Sequence, residues 1–589
     1  MENILQAFLK NAERLGKKPC FRYKEEGIWK DISWQQAGER VFAVARGLLS
    51  LGVKKGDKIA IFSKTRAEWT LCDLAILSVG AVTVPIYQSN TGEQAAYILG
   101  DSDAVIVIVE DLNQLEKIEQ RLSGLSKIQK VILITGQKRG EKITTLTEIE
   151  KKGSLTRDDW EKGINTIRSK DLCSLVYTSG TTGPPKGAML AHRNFVASSE
   201  ACCRLVSMGT DDVGLLFLPL AHILGRVIQF YQIYQGFVHA YAESVDKLID
   251  NLGETRPHFF VSVPRIFEKV YERVQAQVQA GSPLKKAIFA WAVAVGQQAS
   301  RRLQAKKRIG PSLFLKRELA TLLVFQKMKK RLGGRLRYAI SGGAPLSKEI
   351  AEFLHAAGIL VLEGYGLTET TAANNCNTPD SYKFGTVGRP VYALEEKIAP
   401  DGEILIRGDQ VFQGYYKNPE ASREVLTPDG WFHSGDIGVI DEDGFLTITD
   451  RKKDIIVTAG GKNIAPQNLE NILKTIPYVS QAMVHGDRRK YLSALITLNQ
   501  EVVETYARNT GIQFKQFREL TIHPKIYHLI QQAIEDKNKN LASYETIKKF
   551  VILESDFTQE TGELTPTLKV KRKFVSEKYK EVLAKLYQE

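Results

Sequence analysis

Two long stretches of this chain alternate short apolar runs with helical patterns, and that alternation constrains the fold more than any other feature. In the first stretch, residues 58–62 (Lys-Ile-Ala-Ile-Phe), 81–85 (Ala-Val-Thr-Val-Pro), 104–109 (Ala-Val-Ile-Val-Ile-Val) and 131–134 (Val-Ile-Leu-Ile) are separated by helix-like segments at 66–80, 91–99 and 112–122. Strands joined by helices are βαβ units, and βαβ units build parallel sheets. A second series is expected from Leu172 to about Tyr365, through strands near 214–217, 259–263, 337–340 and 359–362. Between Val387 and Thr449 the texture changes to short alternating strands with Asp-Gly turns at 401–402, 429–430 and 443–444, which predicts an antiparallel, barrel-like unit. After Asp450 the chain is mixed again and ends in a lysine-rich helix, 576–587. At 589 residues it is too long for one core.

One loop in this framework carries chemistry. The stretch Tyr177-Thr-Ser-Gly-Thr-Thr-Gly-Pro-Pro-Lys186-Gly187 follows an apolar run, and it can offer backbone N–H groups, hydroxyls and an ammonium to a triphosphate. It is not a Walker A loop, because Gly183 is followed by Pro-Pro-Lys and the prolines can neither donate nor open a phosphate-cradling helix in register. Taken alone, a solvated surface loop explains it as well.

Composition is that of a globular protein. Six scattered cysteines without C-x-x-C spacing argue against a disulfide framework or a zinc site and fit a reducing compartment. The first ten residues read as an amphipathic helix without signal-peptide order, and no run approaches a membrane span, which points to the cytoplasm. Charge is uneven: residues 281–337 hold fifteen Lys and Arg against the single acid Glu318, an excess equal to the +14 of the whole chain. Basic clusters there alternate with apolar runs. Solvated faces on core-packed helices weigh most as an explanation, attraction to an anionic membrane comes next, and nucleic acid comes last because the aromatics are not interleaved as stacking platforms.

Four further segments follow in order: Glu363-Gly-Tyr-Gly-Leu-Thr-Glu-Thr370, Gly430-Trp-Phe-His-Ser-Gly-Asp-Ile-Gly438, Asp450-Arg-Lys-Lys-Asp-Ile-Ile456 and Leu564-Thr-Pro-Thr-Leu-Lys569-Val-Lys-Arg572. With the loop they resemble the adenylate-forming superfamily over nearly the whole chain. Within it, the stretch from Asp429 to Pro466, with Leu218-Pro-Leu-Ala-His222 and Val263-Pro-Arg-Ile-Phe-Glu268, is similar to long-chain fatty acyl-CoA synthetases. The resemblance implies an α/β multi-domain fold. A large N-terminal adenylation domain, 1–450, would hold two parallel-sheet subdomains and the barrel-like unit, and a small mobile α+β C-terminal domain, 451–589, would follow.

The implied reaction turns a carboxylate and ATP into acyl-adenylate and pyrophosphate, then acyl-CoA and AMP. A fatty carboxylate is already ionised, so the first step needs in-line placement and charge neutralisation rather than a general base. By motif position, Thr178, Ser179, Gly180, Thr181, Thr182 and Lys186 would hold the β- and γ-phosphates. Glu369 would bind Mg²⁺, with Thr178 beside it. Thr368 would touch the α-phosphate, and Tyr365 with Gly366 would cover adenine above Gly342, Gly343 and Ala344. Asp436 would take the ribose hydroxyls, Arg451 ribose or phosphate, and Lys569 would bridge carboxylate and α-phosphate, with Lys571 as its weaker substitute. Lys453 is the implied hinge, and the loop of Gly460, Gly461 and Lys462 would meet CoA.

Each residue has a plainer reading alone: Glu369 as a helix cap, Asp436 as a turn residue, Lys569 as part of a solvated charge run, His222 as a core histidine. Motif order overturns these for all but His222. Transfer to acyl carrier protein stays open as an alternative to CoA, as does a non-catalytic basic membrane- or nucleic-acid-binding protein from a different class. The inner face of the membrane is the implied place of any peripheral association. Chain-length preference and oligomeric state have no signal in the sequence.

Overall fold

The computed structural model describes residues 1–138, 140–178, 184–279, 281–459, 462–565 and 569–588. The first expected series forms one sheet of seven strands, in the order Ile143–Thr145, Lys130–Leu133, Ala104–Val109, Lys58–Phe62, Val82–Ile86, Leu172–Thr178 and Lys186–Ala191. All neighbours are parallel except the last pair. Leu172–Thr178 was expected to open the second series. It closes this one instead, with Ser174 opposite Thr83. Its middle is fully buried, and an apolar run with both faces covered does not encode which sheet supplies its neighbours.

The second sheet has nine strands, and its centre is the expected set Val213–Leu216, Phe259–Ser262, Tyr338–Ser341 and Val361–Tyr365. Its far edge is an N-terminal hairpin that the sequence pattern did not reveal, Pro19–Glu25 with Ile28–Ser33. The hairpin joins by parallel pairing of Phe21 with His239. Cys20 and Phe21 are consecutive and both buried, and most other hairpin positions are half-buried or exposed, so the period-2 alternation that marks a strand is weak there. One apolar core runs through both large sheets.

The antiparallel region is a four-stranded sheet of Leu394–Ile398, Glu403–Gly408, Phe432–Ile440 and Leu446–Arg451. Gly402, Gly430 and Gly444 take φ of +86°, +89° and +80°, the left-handed backbone that made Asp-Gly a turn signal. The small C-terminal domain packs helices on the three strands Val479–His485, Leu492–Leu498 and Ile547–Ile552, over apolar clusters of its own. The lysine-rich end is two short helices, Arg572–Lys578 and Lys580–Lys585, broken at Tyr579.

The charged run 450–454 is not wholly solvated. Asp450 is buried at the end of its strand, where it accepts the N–H groups of Arg451 (2.6 Å) and Gln467 (3.2 Å). Burial pushes its carboxyl up to about 6. Lys452 and Lys453 are exposed.

Candidate active site

Tyr365, Asp436, Arg451 and Lys569, all singled out by sequence, converge where the C-terminal ends of the second sheet meet the antiparallel sheet. That is the end of a parallel sheet at which α/β folds bind ligands. Strand Tyr338–Ser341 runs into Gly342, whose N–H donates to Ser262 at 3.0 Å, and Gly343 turns the chain at φ +82°. A side chain at Gly342 would press on Leu224 at 3.4 Å, beside the carbonyl of Gly364 on the neighbouring strand. The turn 342–344 therefore lies against the end of Val361–Tyr365.

The segment after that strand is folded back tightly. A Cβ at Gly366 would sit 1.8 Å from the carbonyl oxygen of Ala372, so only glycine fits. A 3₁₀ turn, Thr368–Thr370, then presents Glu369. Its carboxylate does not cap backbone; it accepts the Tyr415 hydroxyl at 2.7 Å. Burial, then the Glu369 charge, push the Tyr415 phenol up. The Lys186 ammonium lies 5.1 Å from the centre of the same ring. Tyr415 itself is held on strand Lys186–Ala191 by the N–H of Tyr416 donating to the Gly187 carbonyl (2.8 Å), the N–H of Met189 donating to the Gly414 carbonyl (2.9 Å) and the N–H of Gln413 donating to the Met189 carbonyl (2.9 Å).

Thr178 and Lys186 face each other directly across the antiparallel pair. The loop between them therefore returns into a strand rather than entering a helix, which is the physical content of its failure as a Walker A loop. Ser179, Gly180, Thr181 and Thr182 lie outside the described residues. Glu369 and Thr178 offer hard oxygen donors, and among the described residues no trio of His, Cys, Asp or Glu forms a cage. That set suits Mg²⁺ carried in with phosphate oxygens rather than a dedicated protein site.

Asp436 is a strand residue, not a turn residue. It is buried, pairs in register with Arg451, accepts the Tyr365 hydroxyl at 2.6 Å, and meets Arg451 Nε at 3.0 Å. The Asp436 charge holds the Arg451 guanidinium firmly protonated. Burial first, and Asp436 second, push the Tyr365 phenol well up.

Lys569 arrives from the C-terminal domain. Its N–H donates to Thr565 Oγ1 at 3.0 Å, and its carbonyl accepts the Thr565 N–H at 2.8 Å, closing a narrow turn between Leu564 and Val570. The side chain is reached by solvent yet lies in a cleft crowded with protein atoms. That crowding, then the Arg451 charge, lower its ammonium from 10.5 to about 8, against the pull of Asp436. Its neighbours behave differently: Arg572 is tied to Glu470 at 2.6 Å and to the Val484 carbonyl at 2.8 Å, and Lys573 is exposed. Of the four cations in the run, Lys569 lies in the cleft, Arg572 is structural, Lys573 is solvated and Lys571 is half-buried.

Sequence reasoning left His222 as a core histidine and gave Glu363 and Tyr415 no role. His222 caps helix Ile223–Gln235 by accepting the Leu224 N–H on Nδ1 at 3.2 Å, and it is close enough to Lys569 to feel its charge. Burial mainly, and Lys569 second, lower its imidazole to about 3, so it is neutral near pH 7. Glu363 accepts the Leu346 N–H at 3.3 Å, and burial pushes its carboxyl up to about 8. Tyr415 has no motif to mark it.

Of the proposed CoA segment, only Lys462 is described, and it packs within its own domain. Gly460 and Gly461 lie outside the described residues. Lys462 closes the hairpin Ile456–Val457 with Asn463–Ile464 and approaches Tyr544 of its own domain, 5.8 Å from the ring centre. Lys453 is exposed, and its N–H makes no hydrogen bond among the described residues.

Residues 8–416 match the family described as AMP-binding enzyme, and residues 453–589 match the AMP-binding enzyme C-terminal domain. The long-chain-fatty-acid–CoA ligase FadD15 of Mycobacterium bovis is 41% identical over 95% of this chain and 93% of its own. The peroxisomal long chain acyl-CoA synthetase 7 of Arabidopsis thaliana is 32% identical over 96% of this chain and 83% of its own. Among solved structures, the adenylation domain of a carboxylate reductase from Mycobacterium chelonae superposes with a TM-score of 0.78 at 24% identity. That match covers 99% of this chain and 91% of that domain.

Proposed function

The chain belongs to the AMP-binding enzyme family, and from that membership we infer that it is an AMP-forming long-chain fatty acid–CoA ligase. The observation that carries the reading is the approach of Lys569 to the Asp436–Arg451 pair, because it brings a cation of the C-terminal domain to the paired strands that hold Asp436. The carboxylate of the acid and the α-phosphate are both anionic, and they must be held in contact before they react. Lys569, beside Arg451, is the cation that offsets their repulsion as charge moves to the leaving pyrophosphate. Asp436 takes the ribose hydroxyls. Tyr365, fixed through its hydroxyl to Asp436, lies over adenine against Gly342, Gly343 and Ala344, with Gly366 allowing the return of the chain and Thr368 at the α-phosphate. Lys186 and the loop of Thr178, Ser179, Gly180, Thr181 and Thr182 hold the outer phosphates. Magnesium, when bound at Glu369 and Thr178, would neutralise phosphate charge. His222, neutral beside Lys569, adds no competing cation.

The domains divide as 1–450 and 451–589. Rotation about Lys453 would exchange Lys569 for the loop of Gly460, Gly461 and Lys462, which then receives CoA. An anionic membrane, where long-chain acids partition, is the surface partner of this reading.

The test is pyrophosphate exchange into ATP with a panel of fatty acids, followed by a comparison of CoA and acyl carrier protein as acceptors. Exchange dependent on long-chain acid, with CoA the better acceptor, is expected. Exchange with carrier protein preferred would move the function to acyl–carrier ligation, and no acid-dependent exchange would end the reading.

A further inference from the structure

We propose that the helical segment 283–331 is an interfacial anchor that inserts a leucine stripe into an anionic lipid surface. The segment is a helix, Pro283–Gln304, followed by a second continuous helix whose middle turn, Thr321–Phe325, is a π turn closed by the Gln326 N–H on the Thr321 carbonyl. The wider turn brings Ala320 and Phe325, five residues apart, to the same inward side, and both are buried. Leu313 and Val324 pack inward with them.

The outward side should then be polar throughout, but it carries an apolar stripe among its charges. Leu315, Leu319 and Leu322 recur at the four- and three-residue spacing of one helical stripe, flanked by Phe314 and Leu323. These five side chains are 48% to 68% exposed. Leu284, at the start of the first helix, is 70% exposed. Isolated exposed leucines need no explanation, but a stripe on a helix that already buries its opposite face does.

Charge selects the occupant. Of the fifteen Lys and Arg between residues 281 and 337, only Arg337 makes an ion pair among the described residues, with Asp212. Lys285, Lys286, Lys306, Lys307, Arg308 and Lys316 are exposed and without acidic partners. The one acid, Glu318, is exposed beside the stripe. A second copy of the chain, meeting this face with its own, would bring two strongly cationic segments together. Nucleic acid would satisfy the charge but leave the leucines in water. An anionic bilayer satisfies both, since leucines enter the acyl boundary while lysine and arginine stems lie along it with their heads among the phosphates. No described helix is long and apolar enough to cross a membrane, so the contact is interfacial.

The anchor is one layer from the site. Gly296 of the first helix lets it press on helix Lys348–Ala356, where an added Cβ would meet the Ala356 carbonyl at 2.5 Å, and that helix follows the 342–344 turn. The inference rests on the ligase reading for its purpose, not for the surface.

The full-length protein should cosediment with vesicles of phosphatidylcholine mixed with phosphatidylglycerol, more weakly as salt rises, and poorly with phosphatidylcholine alone. The triple variant L315D/L319D/L322D, altered only at exposed positions, should bind about a hundredfold or more weakly. The triple variant K306E/K307E/R308E should lose binding mainly at low salt. Failure of the native protein to bind anionic vesicles would overturn the proposal, and so would unchanged binding by the leucine variant. A leucine-dependent dimer in light scattering, or tight binding of DNA or RNA in place of vesicles, would assign the face elsewhere and equally overturn it. Pyrophosphate exchange in detergent should be the same in the leucine variant. Vesicle binding without any exchange in the native protein would remove the ligase reading and leave this one standing.

Discussion

The two large sheets and the two domains are joined in opposite ways. Between the sheets the junction is apolar and continuous, and at its centre Arg226 and Asp73 form a fully buried pair at 3.1 Å, with Gln229 also on Asp73 at 2.6 Å. Between the domains the apolar clusters are separate, and the contacts are polar. Arg265 donates to the carbonyl and hydroxyl of Ser480 (3.1 and 2.9 Å), Lys474 meets Glu268 at 3.2 Å, Asn499 donates to Glu272 at 2.8 Å, and Lys537 meets Glu349 at 3.3 Å. Apolar burial is lost whenever a junction opens, whereas polar groups can exchange partners with water at small net cost. The first junction suits a permanent body and the second a reversible seam.

The largest effect is expected at the permanent junction. Asp73→Ala strands the Arg226 charge, whose Nε and Nη1 make no hydrogen bond among the described residues. It should cost about 3–5 kcal/mol of unfolding stability while leaving the balance of the two half-reactions intact. A thermal melt with both assays checks this, and a changed balance would mean that the junction is not merely structural. Next comes Lys569→Ala. Exchange should fall about 10²–10³-fold, the size of losing one preorganised charge-stabilising donor, yet supplied acyl-adenylate should still reach the thioester. Unchanged exchange would remove Lys569 from the chemistry.

How far these regions were legible in sequence follows the same division. The βαβ alternation and the three Asp-Gly turns were legible because backbone geometry is written locally, in apolar runs and in glycines at positive φ. Partner choice was not. Leu172–Thr178 pairs with a strand some ninety residues earlier, and the hairpin Pro19–Ser33 attaches to Val238–Tyr241. Site residues in motifs came together, including Asp436, which looked like a turn because Gly435 before it does take φ +70°. Tyr415 and the buried state of Asp450 were illegible, since both depend on what packs against them.

A hinge variant probes the seam without touching the site. Because the Lys453 N–H makes no hydrogen bond among the described residues, Lys453→Pro removes none there and fixes φ. Adenylation should persist and thioester formation should fall about tenfold or more, as expected when a required closure is blocked. Equal retention of both would relocate the hinge. A smaller, graded effect is expected from pH. The Lys569 ammonium is lost as pH rises through about 8, so kcat/KM for adenylation, which reports the free enzyme, should decline above that value. Anionic substrates favour the charged form, so the decline in kcat should lie at higher pH. Lys569→Arg, always protonated, should abolish the decline, and a decline that persisted would belong to another group.

The smallest expected effect is the most direct measure of the seam. Lys474 and Glu268 are both mostly buried by the contact, with side-chain exposures of 19% and 5%, so each is desolvated in this arrangement and regains water when the domains part. The seam has only a handful of such bonds, each worth about 0.5–1.5 kcal/mol net and somewhat more when charged. It can therefore bias the domain equilibrium without locking it. Lys474→Met keeps the apolar stem and removes the ammonium, leaving Glu268 with Arg265 at 3.6 Å as its ion pair among the described residues. The arrangement seen here should be weakened by about 1 kcal/mol, a factor of about five in population. Adenylation should slow by no more than that factor, and thioester formation from supplied adenylate should hold or quicken. Opposite movement of the half-reactions is what a reversible seam requires, because the same lost bond disfavours one arrangement and releases the other. If both slowed together, the contact would be part of the folded body, and the contrast between the two junctions would fail.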